Sequence, residues 1–245
     1  DTNQFIQAEP ITKDLNPING SIQKLFARDT DLVTFCENKV FKILAKKDAL
    51  FNADGNTNIT SNAAVLGQAM PFSGEYGISK NPESFASESY RAYFTDKQRG
   101  SVMRLSKDGL TAISDHGMKN YFRKNIGPTT RLTGSYDARK NNYNLTLHTS
   151  SPDNSRTVSF NERVTGWESF KSFVPEWGVS LHNDYYTIKD GKLWRHHDHP
   201  GGKHNMFYGV QYHSSLKFLL NDFSGSVKTF NTLNYEGTQS RIVEF

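Results

Sequence analysis

One short phrase recurs along the chain and restricts it more than any other feature: a run of β-branched and aromatic residues, a tight polar turn, and a second such run. Residues 32–36 turn at Glu37-Asn38-Lys39 into residues 40–44. Residues 90–94 turn through Asp96 to Gly100 into 102–105, and Asp108-Gly109 leads on to 110–113. Residues 135–137 turn near Lys140-Asn141-Asn142 into 143–147, residues 185–189 turn at Asp190-Gly191 into 192–197, and residues 216–220 turn at Asn221-Asp222 towards 227–230. Glycine after Asp takes a positive φ without steric cost, which is the backbone a two-residue hairpin turn requires. Such a sequence reads as all-β, with helix expected only near residues 117–125, where Met118, Tyr121 and Phe122 fall at helical spacing.

The turns near residues 38, 98, 141, 190 and 223 are spaced irregularly, with a long first interval and a short last one. The spacing is close to the repeat of about 40 to 50 residues that a four-stranded propeller blade needs. The fold expected is therefore a β-propeller-like or irregular hairpin-built β domain with at most one or two short helices. It is expected to span residues 1–245 as one domain, with 1–20 as an extended lead-in and 166–237 as an aromatic-rich block. That block holds Trp167, Trp177 and Trp194, all three tryptophans, and five of the eight histidines lie between His182 and His204. A chain that starts at Asp1 rather than Met reads as processed, or as a piece of a longer protein.

Composition narrows the function. Aromatic residues make up 13% of the chain, which suits sheets packed face to face. The net charge of +4 is spread along the sequence without a run of like charges, so it reads as a solvated mixed surface rather than a nucleic-acid face. A surface lining a passage for DNA would also carry few strong contacts, because each neutralised phosphate adds affinity. The single cysteine, Cys36, excludes an internal disulfide framework, and beside Phe35 it reads as a small buried hydrophobe. No apolar run reaches the length of a membrane span.

Candidate chemistry is sparse. The stretch His196-His197-Asp198-His199-Pro200-Gly201-Gly202-Lys203-His204 has imidazoles that could ligate zinc, with His197 and His199 on one side of an extended strand. Its Pro and Gly make it a loop, and no Cys or helical His pair completes a zinc spacing, so no metal is assigned. The spaced oxygens of 52–58 imitate a calcium loop, but Ile59 and Val65 stand where a glycine and a glutamate would be needed. Asp96, Asp137, Glu162, Glu176 and Asp190 each lie near a turn and could supply the paired carboxyls of a glycosidase, although turns recruit Asp for backbone bonding in any case. Serine-nucleophile, Walker and Rossmann signatures are absent, and no catalytic, cofactor or metal residue is assigned.

Several ordered strings carry a family likeness. They are Asn16-Pro17-Ile18-Asn19-Gly20-Ser21-Ile22-Gln23-Lys24; Tyr76-Gly77-Ile78 followed by Asn81-Pro82-Glu83-Ser84-Phe85; Tyr93-Phe94-Thr95-Asp96 with Arg99-Gly100-Ser101-Val102; and Leu105-Ser106-Lys107-Asp108-Gly109 with Ile113-Ser114. The aromatic block from Trp167-Glu168-Ser169-Phe170 to Leu233-Asn234-Tyr235-Glu236-Gly237 continues them. Together they resemble the tail stabilisation, nozzle-type proteins of short-tailed bacteriophages, most nearly those of crAss-like phages, where the subunit is called the muzzle. The resemblance implies a non-enzymatic virion tail protein with propeller-like β domains, forming a ring with copies of itself through which DNA is ejected. It implies contacts with other phage tail or connector proteins and no cofactor. Such proteins are usually much longer than this chain. Two rival readings come from the residues themselves: a carbohydrate-binding propeller for host recognition, and a propeller glycosidase.

Overall fold

The structure is a computed structural model that describes residues 12–28, 31–51, 57–198, 204–217 and 223–232. The chain divides into two units, 1–212 and 213–245.

The first unit is built from meanders, each strand pairing antiparallel with its neighbour in sequence. The first sheet runs β1 (Ile22–Ala27), β2 (Asp31–Cys36), β3 (Val40–Phe51), β4 (Thr57–Pro71). The second runs β5 (Ala86–Glu88), β6 (Arg91–Asp96), β7 (Ser101–Ser106), β8 (Gly109–Ala112). The helix α1 (Lys119–Asn125) follows, at the place helical spacing predicts. The third sheet runs β9 (Arg131–Asp137), β10 (Asn142–His148), β11 (Arg156–Asn161), β12 (Gly166–Lys171). The fourth has three strands, β13 (Trp177–Leu181), β14 (Asp184–Lys189) and β15 (Lys192–Arg195). A small hairpin, β16 (Met206–Phe207) with β17 (Val210–Gln211), completes the described strands.

Strand periodicity assigns each residue to a wall. In the second sheet Ala92, Phe94, Met103 and Leu105 face the first sheet and share a core with Val33, Phe35 and Val40. The alternate residues Tyr93 and Val102 face the third sheet and join Leu132, Tyr136, Tyr143, Leu145, Val158 and Phe160. Phe35 meets Phe94 edge-on at 5.0 Å, and Tyr93 stacks on Tyr143 at 4.9 Å. Each such buried side chain stabilises the fold by about 1.5–3 kcal/mol. Gly134 shows how close the seam is: a Cβ there would lie 2.0 Å from the Ser84 carbonyl oxygen.

The sheets therefore follow one another in a row, each packing on the next. The all-β, hairpin-built expectation holds, whereas no closed propeller is found. Among the described residues the two apolar cores join the first sheet to the second and the second to the third, and none joins the fourth to the first.

Four of the expected hairpins form as read, at β2–β3, β6–β7, β9–β10 and β14–β15. The fifth is described only in part: residues 227–230 form no strand, and Val227 and Phe230 are exposed, while residues 218–220 of its first run lie outside the described residues. Its turn, Asn221-Asp222, lies outside the described residues, as do residues 52–56 of the calcium-like stretch and residues 1–11 of the lead-in. The described part of the lead-in holds one 3-10 turn, Pro17–Asn19, capped by the Asn16 side chain.

Candidate functional site

The third sheet turns an apolar face to the second and a polar face to the fourth. Register places Thr133 opposite Thr146, and Ser135 opposite Asn144, with Thr157 and Ser159 in the same rows. All six are buried. Buried hydroxyls and amides need partners, and they find them in one another: Ser159 donates to Asn144, and the Thr146 and Thr157 hydroxyls lie 2.8 Å apart. Thr133 Oγ1 lies 3.1 Å from His148 Nε2 of the same sheet, and the fourth sheet supplies further partners. Tyr185 OH and Ser135 Oγ share a bond of 2.7 Å, and Ser180 Oγ donates to the Tyr136 carbonyl at 2.8 Å while accepting from Ala138 N–H at 3.0 Å.

The histidine stretch closes this seam. His197, in a left-handed backbone conformation, places Nε2 2.6 Å from Asp137 Oδ2. The other Asp137 oxygen accepts the Arg139 and Lys140 amides, holding the β9–β10 turn. His196 points inward, its Nε2 2.7 Å from Thr187 Oγ1, which in turn lies 2.9 Å from Tyr208 OH. Phe173 and Phe207 pack against the same imidazole. Burial, with His197 alongside, lowers the His196 pKa to about 4, so it is neutral at pH 7. Burial also lifts the Tyr185 phenol well above its usual range and the Tyr208 phenol to about 12. The hydroxyl nearest the His197–Asp137 pair in the sheet register, Ser135, is held by a phenol and not by an imidazole. His199 and residues 200–203 lie outside the described residues. Among the described residues no group of three His, Cys, Asp or Glu side chains converges as a metal site.

The five candidate carboxylates do not converge on a shared centre. Asp96, fully buried, accepts from Gly77 N–H, Ser79 Oγ, Arg99 N–H and Arg99 Nη1, and knots the first sheet's exit to the β6–β7 turn. Asp137 holds its own turn and His197. Glu162 accepts from Tyr93 OH at 2.7 Å and Arg104 Nη1 at 2.9 Å, tying the second sheet to the third. Glu176 accepts the Asp190 amide at 3.1 Å, and the Asp190 side chain is itself exposed at the hairpin tip. Asp96, Asp137, Glu162 and Glu176 are thus each held by structural donors.

The tryptophans divide by use. Trp167 packs on Phe122 at 4.6 Å and donates to the Ile113 carbonyl, as a core residue does. Trp194 sits edge-on to Tyr208, and Trp177 stands half exposed on β13. Trp177 also borders a groove of about 410 Å³ between the first strands of the second, third and fourth sheets. A larger open cleft of about 650 Å³ lies beside α1, lined by Tyr121, Phe170, Asn125, Asn154 and Arg156 among others.

Sequence reasoning missed the polar seam. Alternation of apolar and polar residues in β9–β11 reads as a sheet with one wet face. The signal against that reading is that the polar positions at the centre hold Thr, Ser and Asn, and no Lys or Glu.

A sequence profile of the crassvirus muzzle protein matches residues 10–191, most of the chain. The chain belongs to the crassvirus muzzle protein family. A second profile, that of the crassvirus muzzle protein C-terminal domain, matches residues 202–244. The muzzle protein of Bacteroides phage crAss001 is 25% identical to this chain over 233 residues, covering 91% of the chain but only 16% of that protein. Muzzle family membership makes the chain a phage structural protein. The two matched stretches leave residues 192–201 between them, which take in β15 and most of the histidine stretch. No helix among the described residues is long and apolar enough to cross a membrane.

Proposed function

We propose that this chain is a structural part of a phage tail nozzle, assembled with copies of itself into a ring through which DNA leaves, and in contact with other tail or connector proteins. The muzzle match over residues 10–191 carries the reading. The architecture supports it: polar groups that a catalyst would keep available are spent here on holding one sheet to the next. In this reading rigidity is the function, and no chemistry is assigned to any carboxylate or histidine. The scattered charge of +4 suits a wall past which DNA slides.

The test is imaging of purified virions, with antibody against this chain as the label. Label at the distal tail, on a hollow ring wide enough for a duplex, is the expected result. Absence of the chain from virions overturns the reading. A second reading, glycan recognition, is favoured by the cleft of Tyr121, Phe170 and Arg156, where aromatic faces meet amide and guanidinium donors. It predicts that an oligosaccharide panel shifts Tyr and Trp fluorescence, with the shift lost in Phe170→Ala.

A further inference from the structure

We propose that the cleft beside α1 binds a saccharide bearing a carboxylate, with the Arg156 guanidinium receiving the acid and the Phe170 ring underlying a sugar face. The proposal rests on the glycan-recognition reading of this cleft and narrows it to acidic sugars; it is independent of the nozzle reading.

Register explains why the cleft forms where it does. Leu147 of β10 lies opposite Arg156 of β11, and Val158 lies opposite Phe170 of β12. Opposed residues share a face, so all four stand on the side of the third sheet whose Leu145 and Phe160 enter the apolar core. The helix α1 covers that side through Phe122, and Tyr121 meets Phe170 edge-on at 5.3 Å. Beyond Tyr121 the cover ends: Leu147 is still buried, but Phe170 is 55% exposed. The opening of about 650 Å³ lies within the range of about 300–1,000 Å³ usual for ligand clefts.

The cleft combines an aromatic and aliphatic floor with a wall that includes Ser150, Ser151 and Asn154. A pyranose has the matching shape, a C–H face for the floor and hydroxyls at its edge for the wall. Charge narrows the choice. Arg156 is the one charged side chain lining the cleft among the described residues, and no Asp or Glu lines it. Arg156 Nη1 donates to the Ser155 carbonyl at 2.9 Å and to the Asp153 carbonyl at 2.5 Å. The guanidinium is thus positioned by backbone carbonyls, which leave its charge uncompensated and its other nitrogens available. Tyr121 Oη makes no hydrogen bond among the described residues, and burial raises its pKa against the opposing pull of the Arg156 charge. It is therefore a neutral O–H donor near the guanidinium at pH 7. A guanidinium and a phenol, both with donors to spare, complement a carboxylate. A single cation favours one acid group over a nucleic-acid backbone, whose binding draws on several.

The experiment is calorimetric titration of the 245-residue chain with tetramers of galacturonate, mannuronate and sialic acid, each beside its methyl ester, which keeps the rings and removes the charge. At least one acid is expected to bind about 10-fold or more tightly than its ester. Arg156→Gln is expected to bring that acid down to the level of the ester, whereas Phe170→Ala weakens acid and ester alike; thermal melts establish that both variants fold. Because Arg156 also holds its own loop, Tyr121→Phe is the second variant, expected to weaken the acid at least about 3-fold with the melting temperature unchanged. An acid preference that survives both Arg156→Gln and Tyr121→Phe overturns the proposal. Esters that bind as well as acids overturn it and leave the glycan reading standing. No binding of any tetramer at about 10 mM overturns both. Acetate that competes as well as the tetramer reduces the site to a simple anion site, and oligothymidylate that displaces the tetramer makes the occupant a nucleic acid; either result overturns the proposal.

Discussion

The seam between the second and third sheets and the seam between the third and fourth share one sheet, yet they are held by opposite chemistry. The first is apolar and aromatic: Tyr93, Tyr136, Tyr143, Leu145 and Phe160 interdigitate, and the polar atoms among them are few. The second is lined by Ser135, Asn144, Thr146, Thr157 and Ser159, with Tyr185, His196 and His197 closing it. Apolar packing depends on shape and is indifferent to pH, whereas a polar layer depends on every donor finding its acceptor and on the protonation of its histidines. The same sheet is thus fixed on one side by close packing and on the other by hydrogen bonds.

The largest effect expected is at the apolar seam. Gly134→Val drives a side chain into the Ser84 carbonyl and is predicted to prevent folding of the first unit, seen as loss of the cooperative melt. Phe160→Ala, a cavity in the same core, is predicted to cost about 3–5 kcal/mol by urea titration.

Acid is the next lever, and it acts on the other seam. His196 has its pKa lowered from 6.5 to about 4, so between those values the unfolded chain takes up a proton that the folded one refuses. Stability is then lost as pH falls from about 6.5 to about 4, by about 3 kcal/mol at the limit, from about 1.4 kcal/mol per pH unit. His148, also lowered to about 4 and lying 3.1 Å from Thr133 on the same polar face, adds to the loss in the same direction. Melting His196→Gln beside the parent from pH 7 to pH 4 checks it: the variant should show a shallower decline. Equal slopes would mean that the seam is not what acid opens.

Tyr185→Phe leaves the Ser135 hydroxyl buried without its partner and is predicted to cost about 1–2 kcal/mol, against less than about 0.5 for Tyr121→Phe, whose phenol ties no sheets together. His197→Gln is expected to cost less than Tyr185→Phe, about 0.5–1 kcal/mol, because the imidazole is partly exposed at the rim of the seam. Amide exchange at Arg139 and Lys140 reads this directly, since their N–H groups are held by the carboxylate that His197 orients.

Much of this was legible in the residues. The hairpins at Asn38, Asn141 and Asp190-Gly191 are written in local turn chemistry, and the turn needs no distant partner to form. Residues 227–230, read as a strand, form none, since β-propensity becomes a strand only where a neighbouring face buries it, and Val227 and Phe230 are exposed. Closure into a propeller was likewise not local: turn spacing predicts meanders, but their angular relation depends on which faces meet. The polar seam was hidden for the same reason, since Ser135 and Thr157 alternate as solvent-facing residues would, and the phenol that meets Ser135 belongs to Tyr185, 50 residues further on. Asp96 and Glu162 stood out as candidate acids by sequence, and the donors that occupy them, Gly77 and Tyr93, lie too far along the chain to be read from spacing.

Every described ladder joins strands that are consecutive in sequence, and that bears on how the chain comes to be folded. Each sheet closes over short loops, so little chain entropy is spent before its contacts reward it. During synthesis a meander can therefore form as soon as its own residues emerge, but Tyr93 and Val102 remain wet until residues 132–160 follow. The first two sheets thus wait with an apolar side for their successors, whereas the third waits with a polar one, which water tolerates until Tyr185 arrives.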